Sequence, residues 1–320
     1  VRAIFQTGLN REDRQNAAFG VILAILAYSF WGLAPLYFRQ IKAVPPLEQM
    51  GHRILWTVLL LATLMTFRRQ WIPTLAILRQ PGTLWVLAGS TLLISVNWFL
   101  FIFANWTDQV LEASLGYFIN PLLNVVLGGL LLGERLRPLQ RLGVVLATVG
   151  VVVLTFHRGH LPWIALALAF SFGFYGFIRK TGRLGSLPGL MLETLLVLPI
   201  AAWYLVHLEQ SGGGHFAKGN LGLTVLLPCA GVVTAFPLLC FAGAARRLRY
   251  STLGFLQYLA PTGQFLLGVF AFGEAFDGTS FFSFSLIWVA LAVYSIDSVR
   301  ATRQAGRTSI AQPRIPVVKG

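Results

Sequence analysis

The chain has 320 residues, of which 56% are hydrophobic and 11% charged, against roughly 45–50% and about 25% in an ordinary soluble domain. So few charges cannot cover a water-soluble surface, and the apolar residues come in long blocks, which leaves lipid as the surrounding solvent. The net charge of +14 would suit nucleic acid, but the basic residues sit in short clusters between apolar blocks, with no zinc spacing or RNA-binding motif, so no nucleic-acid partner is expected.

A helix needs about 20 largely apolar residues to cross roughly 30 Å of hydrocarbon. Residues Val1 to Asn16 are polar and carry Arg2, Arg11 and Arg14, so the reading expects a cytoplasmic tail (1–17) rather than a cleavable leader; the first residue is Val, and an upstream or alternative start is left open. Five spans follow at Ala18–Phe38, Leu47–Phe67, Leu84–Ala104, Ala113–Leu132 and Leu142–Phe156. Five more run Leu161–Ile178, Pro188–Val206, Leu221–Ala244, Thr252–Phe272 and Phe281–Ile296, so the predicted fold is an all-α polytopic membrane protein of ten transmembrane helices. The Gly-rich stretch Ser211 to Asn220 is the longest loop, and from Arg300 onward a basic, disordered tail is expected (299–320). The only cysteines, Cys229 and Cys240, share one apolar block, and nothing near them suggests a metal or a cofactor.

Basic residues test the count. With the N-terminus in the cytoplasm, alternate loops and the two tails hold 20 of the 25 Lys and Arg residues, while the opposite side keeps Arg39, Lys42, Arg158 and Lys218, and Arg53 lies inside a span. That alternation predicts an inner-membrane protein with an even number of spans and both termini cytoplasmic.

Spans four and nine resemble one another. Pro121, Gly128, Gly133 and Glu134 match Pro261, Gly268, Gly273 and Glu274 at an offset of 140, and Leu115–Gly116 meets Leu253–Gly254 at 138. Spans one and six agree at 142 through Ala27, Ser29, Phe30 and Ala169, Ser171, Phe172, and Pro46 and Pro188 open spans two and seven at the same offset. Repeats of five spans (18–156 and 161–298) lie in opposite senses, so the halves are inverted, an arrangement suited to alternating access.

Six stretches now carry a resemblance: AYSFWGLAPLYF from Ala27, HRILW from His52, NWFLFIFA from Asn97, LEASLGYFINPL from Leu111, LGER from Leu132 and STLGFLQYLAPT from Ser251. The chain resembles the drug/metabolite transporter superfamily, with two EamA-type repeats, and within it the RarD (chloramphenicol-sensitive protein) branch. The resemblance implies a secondary carrier that hydrolyses no nucleotide, with its substrate cavity between the repeats and helices five and ten at the periphery. It implies no particular substrate.

Polar side chains within spans mark candidate sites because each demands a partner or a cavity. Arg53 lies about 10 Å inside span two. It reads either as a cation for an anionic group of a substrate or as half of an ion pair, with Glu112 the nearest candidate partner. His52 is a proton-coupling candidate or a packing residue. Glu193 is a proton site or a partner of Arg179, Lys180 or Arg183. Tyr117, Asn120 and Asn124 share one face of span four, and Pro121 behind Asn120, like Pro261, is a candidate hinge. Asn97 and Trp98 in span three and Gln257, Tyr258 and Gln264 in span nine complete a polar stripe that reads as cavity wall or as interhelical glue. Tyr28 and Trp31 in span one supply an aromatic wall or packing. Gly143, Ala147 and Gly150 in span five read as a close-packing face, and Glu134 and Glu274 as boundary groups.

The predicted function is a carrier of a small organic solute (metabolite, amino-acid-like or drug-like), working by rocking of one repeat against the other. A homodimer would form through the peripheral helices. The alternatives are an intramembrane enzyme on a lipid, using His52 with Glu193 or Glu112 as acid–base pair, and a channel.

Overall fold

The computed structural model describes residues 11–78, 80–132, 136–181, 185–248 and 250–311. The helices are α1 (Arg11–Gln40), α2 (Pro46–Phe67), α3 (Trp71–Leu78), α4 (Thr83–Trp106), α5 (Val110–Leu132), α6 (Pro138–Arg158), α7 (Trp163–Thr181), α8 (Ser186–Gln210), α9 (Leu221–Ala245), α10 (Tyr250–Leu256), α11 (Leu259–Leu266) and α12 (Gly278–Ala311). Among the described residues nine stretches are long and apolar enough to cross a membrane, and Trp163–Arg179 is a shorter apolar helix where the sixth span is predicted. Their outer surface is apolar, with Phe67, Trp85 and Phe156 all more than four-fifths exposed at 83%, 84% and 83%. The chain is an all-α polytopic membrane protein, its exposed apolar side chains facing lipid as its backbone is satisfied within helices.

Three local features differ from expectation. The tail from Arg300 does not begin as disordered chain, because α12 continues to Ala311; its stretch after Ile296 holds three Ala and three Arg, which favour helix. The short helix α3 interrupts the predicted loop after span two, anchored by the Trp71 indole N–H donating to Thr66 Oγ1 at 2.9 Å. The ninth span is broken. Pro261 has no N–H for the Gln257 carbonyl four residues earlier, and the Ala260 N–H takes that carbonyl at 3.2 Å. So α10 stops at Leu256, α11 starts at Leu259, and a π-helical turn over Leu267–Ala271 ends the span. The matching Pro121 lies within α5, which passes through it as one helix.

The dominant helix pairs are α1 with α9 and α11, α2 with α9 and α8, α4 with α7 and α8, α5 with α7 and α11, and α6 with α12. Exchanging each span for its counterpart five spans later maps this set of pairs onto itself, which is the form expected of two related inverted halves. All of these pairs join one half to the other. Rigid rocking of one five-helix half against the other would therefore separate α1 from α9 and α5 from α7. The compact units are mixed instead: α1, α2, α9 and α11 form one bundle and α4, α5 and α7 the other, with α8 between α2 and α4. Helices α6 and α12 pair at the periphery, where an added Cβ at Gly150 would lie 2.8 Å from the Ser283 carbonyl oxygen and one at Gly143 3.2 Å from that of Ala290.

Small residues set these close approaches. A Cβ at Gly116 in α5 would lie 2.6 Å from the Ala165 carbonyl oxygen in α7, whereas Gly254, its counterpart in the repeat, has nothing within 4 Å. Gly116→Ala is expected to cost about 1–3 kcal/mol through overpacking. Gly254→Ala should be neutral or gain up to about 1 kcal/mol from helix propensity. Thermal unfolding of the two variants in detergent checks the contrast; equal shifts would mean that the α5–α7 contact is looser than described.

Candidate functional site

Arg53 is the only Lys or Arg among the described residues to lie buried, with 9% of its surface exposed. Its guanidinium stands 4.4 Å over the ring of Trp98, so the contact joins α2 of the first bundle to α4 of the second. The phenol groups of Tyr37 (α1) and Tyr117 (α5) lie close enough to act on it electrostatically, again one from each bundle. Around them runs a chain of rings: Tyr37 to Phe38 at 5.1 Å, Phe38 to Phe101 at 5.7 Å, Phe101 to Tyr117 at 5.9 Å and Tyr117 to Phe172 at 6.1 Å. Aromatic faces attract a desolvated cation, offsetting part of the cost of burying it.

Of the predicted polar stripe, most hydrogen-bonds within a bundle. Asn97 Nδ2 donates to the Leu168 carbonyl and to Ser171 Oγ, both at 3.1 Å, and the Tyr117 hydroxyl donates to Asn97 Oδ1 at 3.3 Å. Asn120 Nδ2 donates to the Ala169 carbonyl at 3.2 Å and accepts from Asn124 Nδ2 at 3.0 Å through Oδ1. These bonds hold α4 and α5 on α7. Gln264 Nε2 donates to the Trp31 carbonyl at 3.2 Å, holding α11 on α1. Tyr28 and Trp31 form an aromatic trio with Phe241 of α9, centroids 5.7–6.1 Å apart. Gln257 is half-buried at the break in span nine, and Tyr258 packs into the peripheral cluster with Phe118, Phe265 and Trp288, away from Arg53. Ser114 Oγ donates to the Pro261 carbonyl at 2.9 Å, which links α5 to α11 across the bundles.

The charged candidates take separate partners. Glu112 pairs with Arg158 at 3.6 Å and not with Arg53. Glu193 is buried and accepts from Ser90 at 2.7 Å and Tyr175 at 3.2 Å, with Arg179 at 3.7 Å. His52 Nδ1 accepts from Trp56 at 3.3 Å, and its Nε2 faces Glu48 at 4.0 Å. Neither Glu112 nor Glu193 reaches His52 within ion-pair distance among the described residues, so the acid–base pair considered from the sequence is not assembled.

The residues of a family lie along this frame. A model of the EamA-like transporter family matches residues 18–156. The chain is 47% identical to an uncharacterized transporter of Vibrio cholerae over 92% of this chain and 98% of that one. It is 45% identical to Protein RarD of Escherichia coli over 92% and 100% of the two chains. It is 31% identical to the chloramphenicol-sensitive protein RarD of Pseudomonas aeruginosa over 91% and 98%. The chain belongs to the RarD branch of the EamA-like drug/metabolite transporters. A crystal structure of a protein 23% identical, covering 87% of this chain and 98% of its own, superposes with a TM-score of 0.57, so the fold is shared with it.

Two carboxylates of this transporter do more than the sequence reading gave them, Glu48 having escaped it altogether, and both lie on the face that carries few basic residues. Glu48, the residue four before His52, is buried and accepts from the His215 backbone N–H at 2.7 Å and from its Nδ1 side at 2.8 Å, strapping the 211–220 loop onto α2. Glu274, read as a boundary group, accepts the backbone N–H groups of Val110 at 2.7 Å and Leu111 at 2.8 Å. It thus caps α5 of one bundle from the end of α11 in the other, and its counterpart Glu134 lies outside the described residues. Burial pushes the Glu274 carboxyl above the usual carboxylate range, while the two N–H bonds pull it back. Lys42 and Asp108 make a second tie between the bundles on the same face. Nearby, Asp277 is held down at about 2, first by the Ser280 N–H that it caps and then by His157. On the opposite side Leu61, Leu187, Leu190, Ala235 and Leu238 line an apolar cleft between α8 and the α2–α9 pair.

Glu274→Ala leaves two N–H groups at the start of α5 without a protein acceptor. The loss should be about 1–3 kcal/mol, read as a lower Tm, with Glu274→Gln recovering part of it. Unchanged Tm in both variants would mean that the cap contributes nothing to holding the start of α5.

Proposed function

We propose that this transporter is a secondary carrier moving a small organic solute (metabolite, amino-acid-like or drug-like) across the bacterial inner membrane by alternating access, with both chain ends in the cytoplasm. The observation that carries the reading is the Arg53–Trp98 contact: a buried cation against an aromatic wall, at the seam between two helix bundles, in the lipid-embedded interior. Membrane carriers bind at such seams because opening one side of the seam and closing the other exposes the same residues in turn.

The moving units would be the mixed bundles. In the arrangement seen here the charge-poor face is tied across the seam by Glu274 on the start of α5 and by Lys42 with Asp108. Ties of this kind close a face without a permanent seal, because each is a few hydrogen bonds that water can replace when the bundles part. The apolar cleft beside α8 is lined by Leu61, Leu187, Leu190, Ala235 and Leu238, toward the ends of α2 and α8 that the charge pattern assigns to the arginine-rich face. A homodimer would meet through the outward sides of α6 and α12, whose small-residue faces are already occupied by one another.

The test is counterflow. Purified protein in liposomes loaded with unlabelled solute should accumulate the same solute in labelled form transiently and saturably, without an added energy source. A flux that never saturates, or that appears as large unitary currents, would favour a pore, and no exchange across a broad panel of metabolites and drugs would remove the carrier reading.

A further inference from the structure

The buried acids of the described residues are each matched. Glu48 has His215 and His52, Glu112 has Arg158, Glu193 has Arg179 and Asp297 has Arg137 at 2.7 Å. The one buried Lys or Arg is not. No carboxylate lies within 4.0 Å of Arg53 among the described residues, and its Nε is buried without a hydrogen-bond partner. A guanidinium offers five N–H donors in a planar fork, and the face of Trp98 engages the π surface of that fork without using its edge. A buried charge in this state is costly, so its persistence needs a reason.

We propose that the missing partner is the transported solute, and that Arg53 receives a single carboxylate of an organic monoanion; the inference rests on the carrier reading above. One cation in an otherwise uncharged surround balances one negative charge. A phosphate dianion would need a second full positive charge, and among the described residues no other Lys or Arg is buried, while the neighbouring His52 faces Glu48. The planar edge of the guanidinium matches the two oxygens of a carboxylate in a bidentate pair. Trp98, Tyr37 and Tyr117, with Phe101 behind Tyr117, present ring faces and edges to the rest of the solute. The substrate class is thus a monocarboxylate with an aromatic or bulky apolar body. The repeat supplies no second copy of the site: at the offset of 142 that relates Pro46 to Pro188, the position of Arg53 is filled by Leu195.

The test compares the full chain with Arg53→Lys, Arg53→Gln and Arg53→Met by thermal unfolding in detergent. The probes are indole-3-acetate, phenylpyruvate and benzoate, with indole-3-acetamide, benzamide and inorganic phosphate at equal concentration. The carboxylates should raise Tm in the unsubstituted protein while the amides and phosphate do not, since a ligand bound only to the folded state stabilises it. Arg53→Gln and Arg53→Met should lose affinity for them by about ten-fold or more, and Arg53→Lys should keep part of the response. Without ligand, Arg53→Met should unfold no earlier than the unsubstituted protein, because the substitution removes an uncompensated charge. Equal responses to acid and amide, a retained response in Arg53→Gln, no response to any carboxylate, or early unfolding of Arg53→Met beside a normal Arg53→Lys would each overturn the proposal. Counterflow of some solute without any carboxylate dependence would defeat this inference alone, and carboxylate binding without exchange would defeat the carrier reading alone.

Discussion

Hydrocarbon offers no hydrogen bonds, so every polar side chain placed inside the bilayer must be answered by another part of the protein. Most of the interior obeys this. Asn97 and Asn120 reach the backbone of α7, Gln264 reaches that of α1, and Glu193 gathers a serine, a tyrosine and an arginine. Their bonds give each bundle its shape and leave the bundles as units. Arg53 stands apart because aromatic side chains, and no carboxylate, surround it, and it sits where the bundles meet. A structural role alone would be better served by a leucine, which is what the second half of the chain has at the matching position. The same solvent that forces the buried carboxylates into pairs makes the one buried cation without a carboxylate informative.

The fold has a two-fold form that the site does not share. Exchanging spans across the halves preserves which helices touch, yet the cation, the tryptophan beneath it and the tyrosines beside it occur once. Gly116 and Gly254 show the same divergence in packing, one pressed against a backbone carbonyl and the other open. Pro121 and Pro261 show it in the backbone, where one helix continues and its counterpart breaks. Under the proposed alternating access, symmetry suits a seam that opens on either side, whereas an asymmetric solute needs only one set of contacts.

The spans were readable in the sequence because bilayer thickness fixes their length; nine of the ten predicted spans fall on single helices of the structure, and the ninth falls on α10, α11 and the π-helical turn. The helix pairing was not readable. Contacts such as α1 with α9 leave no periodic trace in either segment, so the sequence divided the chain at its repeat while the helices assemble across that division. Arg53 and Trp98 were legible as costly or polar-tipped residues at depth, but their contact was not, since 45 positions separate them. Glu48 and His215 meet across 167 positions, and Glu274 and Val110 across 164. Only the i, i+4 spacing of Glu48 and His52 gave a local hint. Tyr258 was misleading for a physical reason: the break at Pro261 turns it toward the peripheral helices.

The central claim is that residues from both bundles line one chamber that opens to each side of the membrane in turn. Single cysteines replacing Tyr37 and Tyr117, in a chain with Cys229 and Cys240 changed to alanine, put a reporter on each bundle. A membrane-impermeant thiol reagent applied to right-side-out and to inverted vesicles should modify both positions from both faces. Modification from neither face, or by a lipid-soluble reagent alone, would mean that these side chains line no aqueous chamber.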